Sequence, residues 1–241
     1  MSAEATTLSP PVEHHRGHRD VTGGRLRPAV FGAMDGLVSN FALISGVVGG
    51  GASSTTVVIT GLAGLAAGAC SMAAGEYTSV ASQTELMRAE IDVERRELAR
   101  DPDGELAELT ALYQNRGLDE KTAGAVARQL SEHPEVAWRI HVREELGVDP
   151  DDLPSPYVAA STSFAAFALG AITPVLPFML GADGLFVAAV VSTLGLLAAG
   201  AVVARLTARP WWRGALRQLI LGGVAAATTF GIGGLVGAGL S

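Results

Sequence analysis

Four things are scarce in this chain. It has one cysteine in 241 residues, so Cys70 has no partner for an internal disulfide and says little about redox compartment. Aromatic residues make up only 5%, and they are thinly spread. Lysine occurs once, at Lys121, against sixteen arginines. Charge is absent from long stretches: residues 36–75 and 157–182 carry none. The net charge is −7, unevenly spread, and the acidic insert that carries it argues against a nucleic-acid partner. The polar first 27 residues lack the apolar core of a cleavable signal peptide.

Alanine, valine, leucine and glycine fill the space left by those absences. The chain is 49% hydrophobic, contains 30 glycines and has positive mean hydropathy, values that suit Gly- and Ala-rich membrane helices. Charge is concentrated in one place. Residues 81–156 hold 18 Asp and Glu against 9 Lys and Arg, a balance of −9, while the remainder holds 6 against 8, a balance of +2. An acidic insert between apolar segments favours cations as its partners.

The expected fold is all-α, with five transmembrane helices and a cytosolic helical insert between spans two and three. Residues 1–27 read as a disordered cytosolic tail, its His14, His15 and His18 incidental. Residues 28–80 hold spans one and two (28–50 and about 54–80), with Pro28 at a helix start. Residues 81–156 form the acidic insert, expected as helices to about Arg100, then 104–115, 119–131 and His133 to about Gly147. Its apolar positions are few, so it should lean on a partner. Residues 157–241 hold spans three to five (157–181, 184–204 and about 216–239). Pro174 and Pro177 should kink or shorten the third, and Trp211 and Trp212 read as interfacial anchors before the fifth.

Arginines set the expected orientation. Arg16, Arg19, Arg25 and Arg27 precede span one, Arg88, Arg95, Arg96 and Arg100 follow span two, and Arg205, Arg209, Arg213 and Arg217 join spans four and five. Links 49–54 and 181–183 carry no Lys or Arg. The positive-inside rule then puts the N-terminus and insert in the cytosol and the C-terminus outside.

Two groups of residues carry candidate chemistry. In span one, Asp35 is a costly intramembrane carboxylate, and Ser39 and Asn40 extend its polar stripe one turn deeper. In span two, Met72 and Glu76 share a helix face at a similar depth, roughly 10 Å from the cytosolic side. Gly61, Gly64, Gly68, Ala67 and Ser71 give that span a small-residue face for close packing. In the insert, Glu94-x-x-Glu97 and Glu105-x-x-Glu108 flank the Asp101-Pro102-Asp103-Gly104 breaker, and His141 and Glu145 lie four apart on the last helix. If the breaker folds one helix back, these carboxylates and the imidazole converge on a fairly hard divalent ion such as Fe²⁺ or Mn²⁺. The plainer alternative is a solvated helix face of Glu–Arg pairs. A ferritin-like oxidase site would need Glu-x-x-His pairs, which the insert lacks.

The segments MDGLVSN (34–40) and AAGACSMAAGEY (66–77), in this order ahead of a Glu-x-x-Glu insert, resemble the vacuolar iron transporter family over about residues 28–240. The resemblance implies five-span homodimers with the ion path at the subunit interface, moving Fe²⁺ and often Mn²⁺ out of the cytosol in exchange for protons. It matches Glu94, Glu97, Glu105, Glu108 and Glu145 to the family's cytosolic metal ligands, and Asp35 and Met72 to its membrane site. The chain departs from the family where Gly64 replaces a membrane Glu, and where His141 and Val142 replace a Met pair. Glu76 is a stand-in for the missing acid on the cytosolic side of Met72. The expectation is a proton-coupled divalent metal exporter, not an enzyme, with no resident cofactor and no nucleic-acid partner. Its alternative is a membrane-anchored metal sensor or buffer without transport. The Arg-over-Lys bias and the high Ala and Gly content point to a bacterial plasma membrane.

Overall fold

The computed structural model describes residues 26–182 and 184–240. The expected tail, with His14, His15 and His18, lies outside the described residues. Among those residues the chain is all-helical: α1 (Leu26–Gly49), α2 (Ser54–Arg100), α3 (Pro102–Asn115), α4 (Glu120–Ser131), α5 (Pro134–Glu145), α6 (Pro156–Ile172), α7 (Leu176–Met179), α8 (Leu185–Leu206) and α9 (Trp211–Leu240).

Four of these helices, α1, α2, α8 and α9, are long and apolar enough to cross a membrane. The third expected span is not one helix. α6 has 17 residues, roughly 26 Å at 1.5 Å per residue, against about 30 Å of hydrocarbon. Pro174 lacks the N–H that would continue α6. The backbone tightens instead, with Thr173 N–H bonding Gly170 O (3.3 Å) and Val175 N–H bonding Ile172 O (3.0 Å), before the single turn of α7. The last helix also starts earlier than expected, at Trp211 rather than about 216. Pro210 precedes that start and accepts from the Arg213 N–H, so both tryptophans lie in the first turn.

α1 is the hub. It packs on α2, α6, α8 and α9. Small residues permit this. A Cβ at Gly36 would strike the Phe167 carbonyl of α6, and one at Gly170 would strike the Ala33 carbonyl of α1. The glycines of the Gly233-x-x-x-Gly237 motif in α9 face Gly46 and Gly50 at the end of α1. Thr229 Oγ1 donates across the same seam to Ala42 O (2.6 Å). Ile44, Val57, Phe41 and Phe178 fill the core between α1, α2 and α7, and Ala69, Phe167 and Ala171 fill that between α2 and α6.

α2 has 47 residues and runs unbroken for roughly 70 Å, more than twice a bilayer's hydrocarbon thickness. Its N-terminal half packs on α1 and α6, and its polar half carries α3 and α5. Asp101 ends it and caps α3, its side chain accepting from the Gly104 N–H. Asp119 likewise caps α4 through the Thr122 N–H. Tyr113 on α3 and Arg116 just past its end both bond Glu144 on α5. Trp138 of α5 has the guanidinium groups of Arg95 of α2 (4.3 Å) and Arg139 (5.0 Å) over its ring. Where the insert meets the apolar helices, Thr84 donates to Pro154 O and Tyr77 packs edge-on against Tyr157.

Candidate functional site

Two constellations emerge, both built on α2. The first is an open groove of about 370 Å³ lined by Asp35, Ser39, Asn40, Leu43, Gly64, Gly68, Ser71, Met72 and Phe167. α1 contributes the acid and the amide, α2 the thioether and the small residues, and α6 the phenyl floor. Asp35 and Met72 therefore share one concave surface rather than facing apart. Ser39 Oγ bonds its own helix at Asp35 O. Asn40 is buried and ties three helices together, donating to Gly61 O of α2 (3.1 Å) and Ala171 O of α6 (2.6 Å). The glycines keep the groove open: a Cβ at Gly68 would meet the Phe167 ring, and one at Gly64 would meet Leu43 and Asn40. Glu76 stands apart from it. It is buried one turn beyond Met72, with Oε1 4.0 Å from Arg27 Nη2 and Oε2 without a hydrogen-bond partner.

The second constellation lies roughly 33 Å further along α2, the rise of the 22 residues from Met72 to Glu94. Glu94 of α2, Glu105 of α3, and His141 and Glu145 of α5 bring one ligand atom each to within 4.8 Å of one another. The Asp101 turn makes this possible by folding α3 back beside α2. His141 is fully buried, with Nδ1 3.1 Å from Glu145 Oε1, 3.2 Å from Glu94 Oε1 and 3.5 Å from Glu105 Oε2. One ring hydrogen cannot serve three carboxylates. The Nδ1–Glu145 Oε1 contact has hydrogen-bond geometry, its direction set by the ring tautomer, and Glu94 Oε1 is left without a hydrogen bond.

Electrostatics follow from the crowding. Burial, then the charges of Glu145 and Glu105, push Glu94 up to about 8. Burial and neighbouring carboxylates also raise Glu105 and Glu145. Burial lowers His141, partly offset by Glu105 and Glu108, which favours the neutral imidazole that can ligate. Protons thus hold the cluster together in the absence of a cation. A divalent ion would replace them, and it would give the orphaned Glu94 oxygen a partner.

Glu97 and Glu108 are not brought into the cluster. Both are exposed at its rim, near enough for their charge to act on the ligating groups. The reason is helical phase: a residue three positions on is turned about 60° from the first, so only one carboxylate of each pair points inward. Leu43, Ser71 and Phe167 were not singled out from the sequence as lining. Ser71 carried a signal, since it sits beside Met72 on the small-residue face. Phe167 carried none, because its role depends on where α6 docks.

Long apolar helices, an acid in a groove among them, and a polar cluster on the protruding arm define a multi-pass membrane protein that handles cations. Residues 26–234 match the model of the VIT family, and the chain belongs to that family, whose members are transporters rather than enzymes. It is 41% identical over 217 residues to a vacuolar iron transporter of Acanthamoeba castellanii, covering 88% of this chain and 78% of that protein. It is 31% identical over 224 residues to vacuolar iron transporter 1 of Eucalyptus grandis, covering 92% and 90%. Vacuolar iron transporter 1 of Arabidopsis thaliana is 29% identical over 222 residues, covering 91% and 89%.

Proposed function

We infer that this protein exports divalent metal ions, Fe²⁺ and also Mn²⁺, from the cytosol in exchange for protons. Five spans cross the membrane, the third being α6 with its broken extension through α7. The N-terminus and the 81–156 insert are cytosolic and the C-terminus is outside, as the arginine distribution favours. The insert gathers ions at Glu94, Glu105, His141 and Glu145, with Glu97 and Glu108 attracting them at its rim. The groove at Asp35 and Met72 passes them across the bilayer. Two copies of the chain pair so that the groove faces a twofold mate. Only 17% of the most apolar 18-residue stretch of α2 is buried within the chain, which leaves that face for lipid and partner. The arginine-rich, lysine-poor composition favours a bacterial plasma membrane as its home.

The observation that carries this reading is the shared groove. An acid and a thioether from two different helices meet on one concave surface of an otherwise apolar bundle. A metal sensor or buffer would need the cluster on α2, α3 and α5 but not the groove. Purified protein in lipid vesicles, loaded with a metal-sensitive dye and a pH dye, tests it. Metal flux with opposing proton flux is the expected result. Binding to the insert without flux would select the sensor instead.

A further inference from the structure

Asn40 has one polar atom that the fold leaves unused. Its residue is 2% exposed, and both amide hydrogens are committed, to Gly61 O and to Ala171 O. The second bond falls at the end of α6, where the Val175 N–H has turned to Ile172 O. Two carbonyl acceptors leave no ambiguity about which end of the amide is nitrogen, since reversing it would set oxygen against oxygen. Asn40 Oδ1 is buried and has no hydrogen-bond partner. Native interiors avoid such orphans, and those that persist call for an explanation. This one belongs to a residue that lines the groove with Asp35 and Met72. Gly64 faces it: a Cβ there would sit 2.8 Å from Asn40 Oδ1 and 2.6 Å from Leu43 Cδ2. Any larger residue at 64 would fill the space beside the oxygen.

We propose that Asn40 Oδ1 is a fixed, neutral oxygen ligand for the cation in the groove, held in aim by its two donations, with only the bare backbone of Gly64 beside it. The inference rests on the groove being the ion path. It adds a hard, uncharged ligand to one carboxylate and one soft thioether, so the groove itself offers one carboxylate per chain. A carbonyl-type oxygen favours Mn²⁺ over softer ions, whereas Met72 favours the softer ones. Asn40 thus sets the ion ranking of the membrane step.

The test compares wild type, Asn40→Leu, Gly64→Ala and Asp35→Ala in vesicles, with KM for Mn²⁺ and for Zn²⁺ measured separately. Gly64→Ala is the complementary variant because it removes neither Asn40 donor and instead sets a methyl against Asn40 Oδ1 and Leu43. Monodisperse elution and an unchanged melting temperature establish folding, and either folded variant is sufficient. The expected result is a KM for Mn²⁺ raised about tenfold or more, with a smaller rise for Zn²⁺. Equal rises for both ions would mark a packing defect and overturn the proposal, as would wild-type KM values beside an inactive Asp35→Ala. An active Asp35→Ala would instead remove the groove as the ion path, and this inference with it.

Discussion

The groove at Asp35 and the cluster at His141 sit on one helix and differ in almost every physical respect. The groove has one carboxylate, one thioether and otherwise uncharged walls, and it is open. The cluster has three carboxylates around a fully buried imidazole. In the groove, charge is kept low because each unpaired ion in hydrocarbon is costly. In the cluster, burial and mutual repulsion raise the carboxylates, so that protonation relieves the crowded charge. On the proposed function, capture and passage fall to different sites. A site that binds well enough to collect dilute ions releases them slowly, so it is poorly suited to being the gate.

The comparison can be broken most directly at Asp35. Asp35→Ala should cut metal flux in vesicles by about 100-fold or more, as expected for a lone charged ligand in a low-dielectric path, while the insert still binds metal in titration calorimetry. Next comes the cluster. Glu94→Ala should weaken binding to the insert by about 10- to 100-fold and slow flux only at low external metal. Undiminished affinity in calorimetry would rule out the cluster as a metal site.

The pH dependence sharpens the contrast. Glu94 titrates in the folded insert at about 8 against an ordinary 4.5, so between those values the folded state holds a proton that the unfolded chain has lost. Stability of the metal-free insert should therefore fall as pH rises through this window, the raised Glu105 and Glu145 adding to the trend. His141, whose folded value is lowered, opposes it only below its ordinary 6.5. Metal affinity should climb over the same window, by up to about tenfold per pH unit for each proton displaced. Melting curves at pH 5, 6.5 and 8, with and without Mn²⁺, give both trends. Metal protection that is equal at pH 5 and pH 8 would contradict the proton-laden cluster. The smallest effect is expected from Glu97→Ala, which should change affinity less than about threefold because that carboxylate stays solvated at the rim.

Much of this was legible in the residues. The stop after Arg100 and the helix starting at His133-Pro134 follow from local backbone chemistry, which a Pro signals directly, whereas the cap at Asp101, which starts α3 at Pro102 rather than about 104, was not read. The polar stripe Asp35, Ser39, Asn40 was visible because charge and amide are conspicuous in an apolar run. What could not be read was which side of each helix faces which neighbour. Glu-x-x-Glu spacing promises two ligands, yet helical phase admits only Glu94 and Glu105. Met72 and Glu76 share a nominal face, yet the groove takes Met72 while Glu76 sits buried near Arg27. The turn after Ile172 was signalled by Pro174, but not that Ala171 O would receive Asn40 there. Such facts depend on docking angles, set by glycines meeting backbone at Gly36 and Gly170, and no single segment encodes them.

The central claim is that cations cross at the groove and protons cross in return. Simultaneous recording of Mn²⁺ uptake and internal pH in vesicles, for wild type and Asp35→Ala, tests it most directly. The account predicts coupled, opposing fluxes in the wild type and neither flux in the variant. Robust Mn²⁺ movement through Asp35→Ala, or wild-type flux with no change in internal pH, would contradict it.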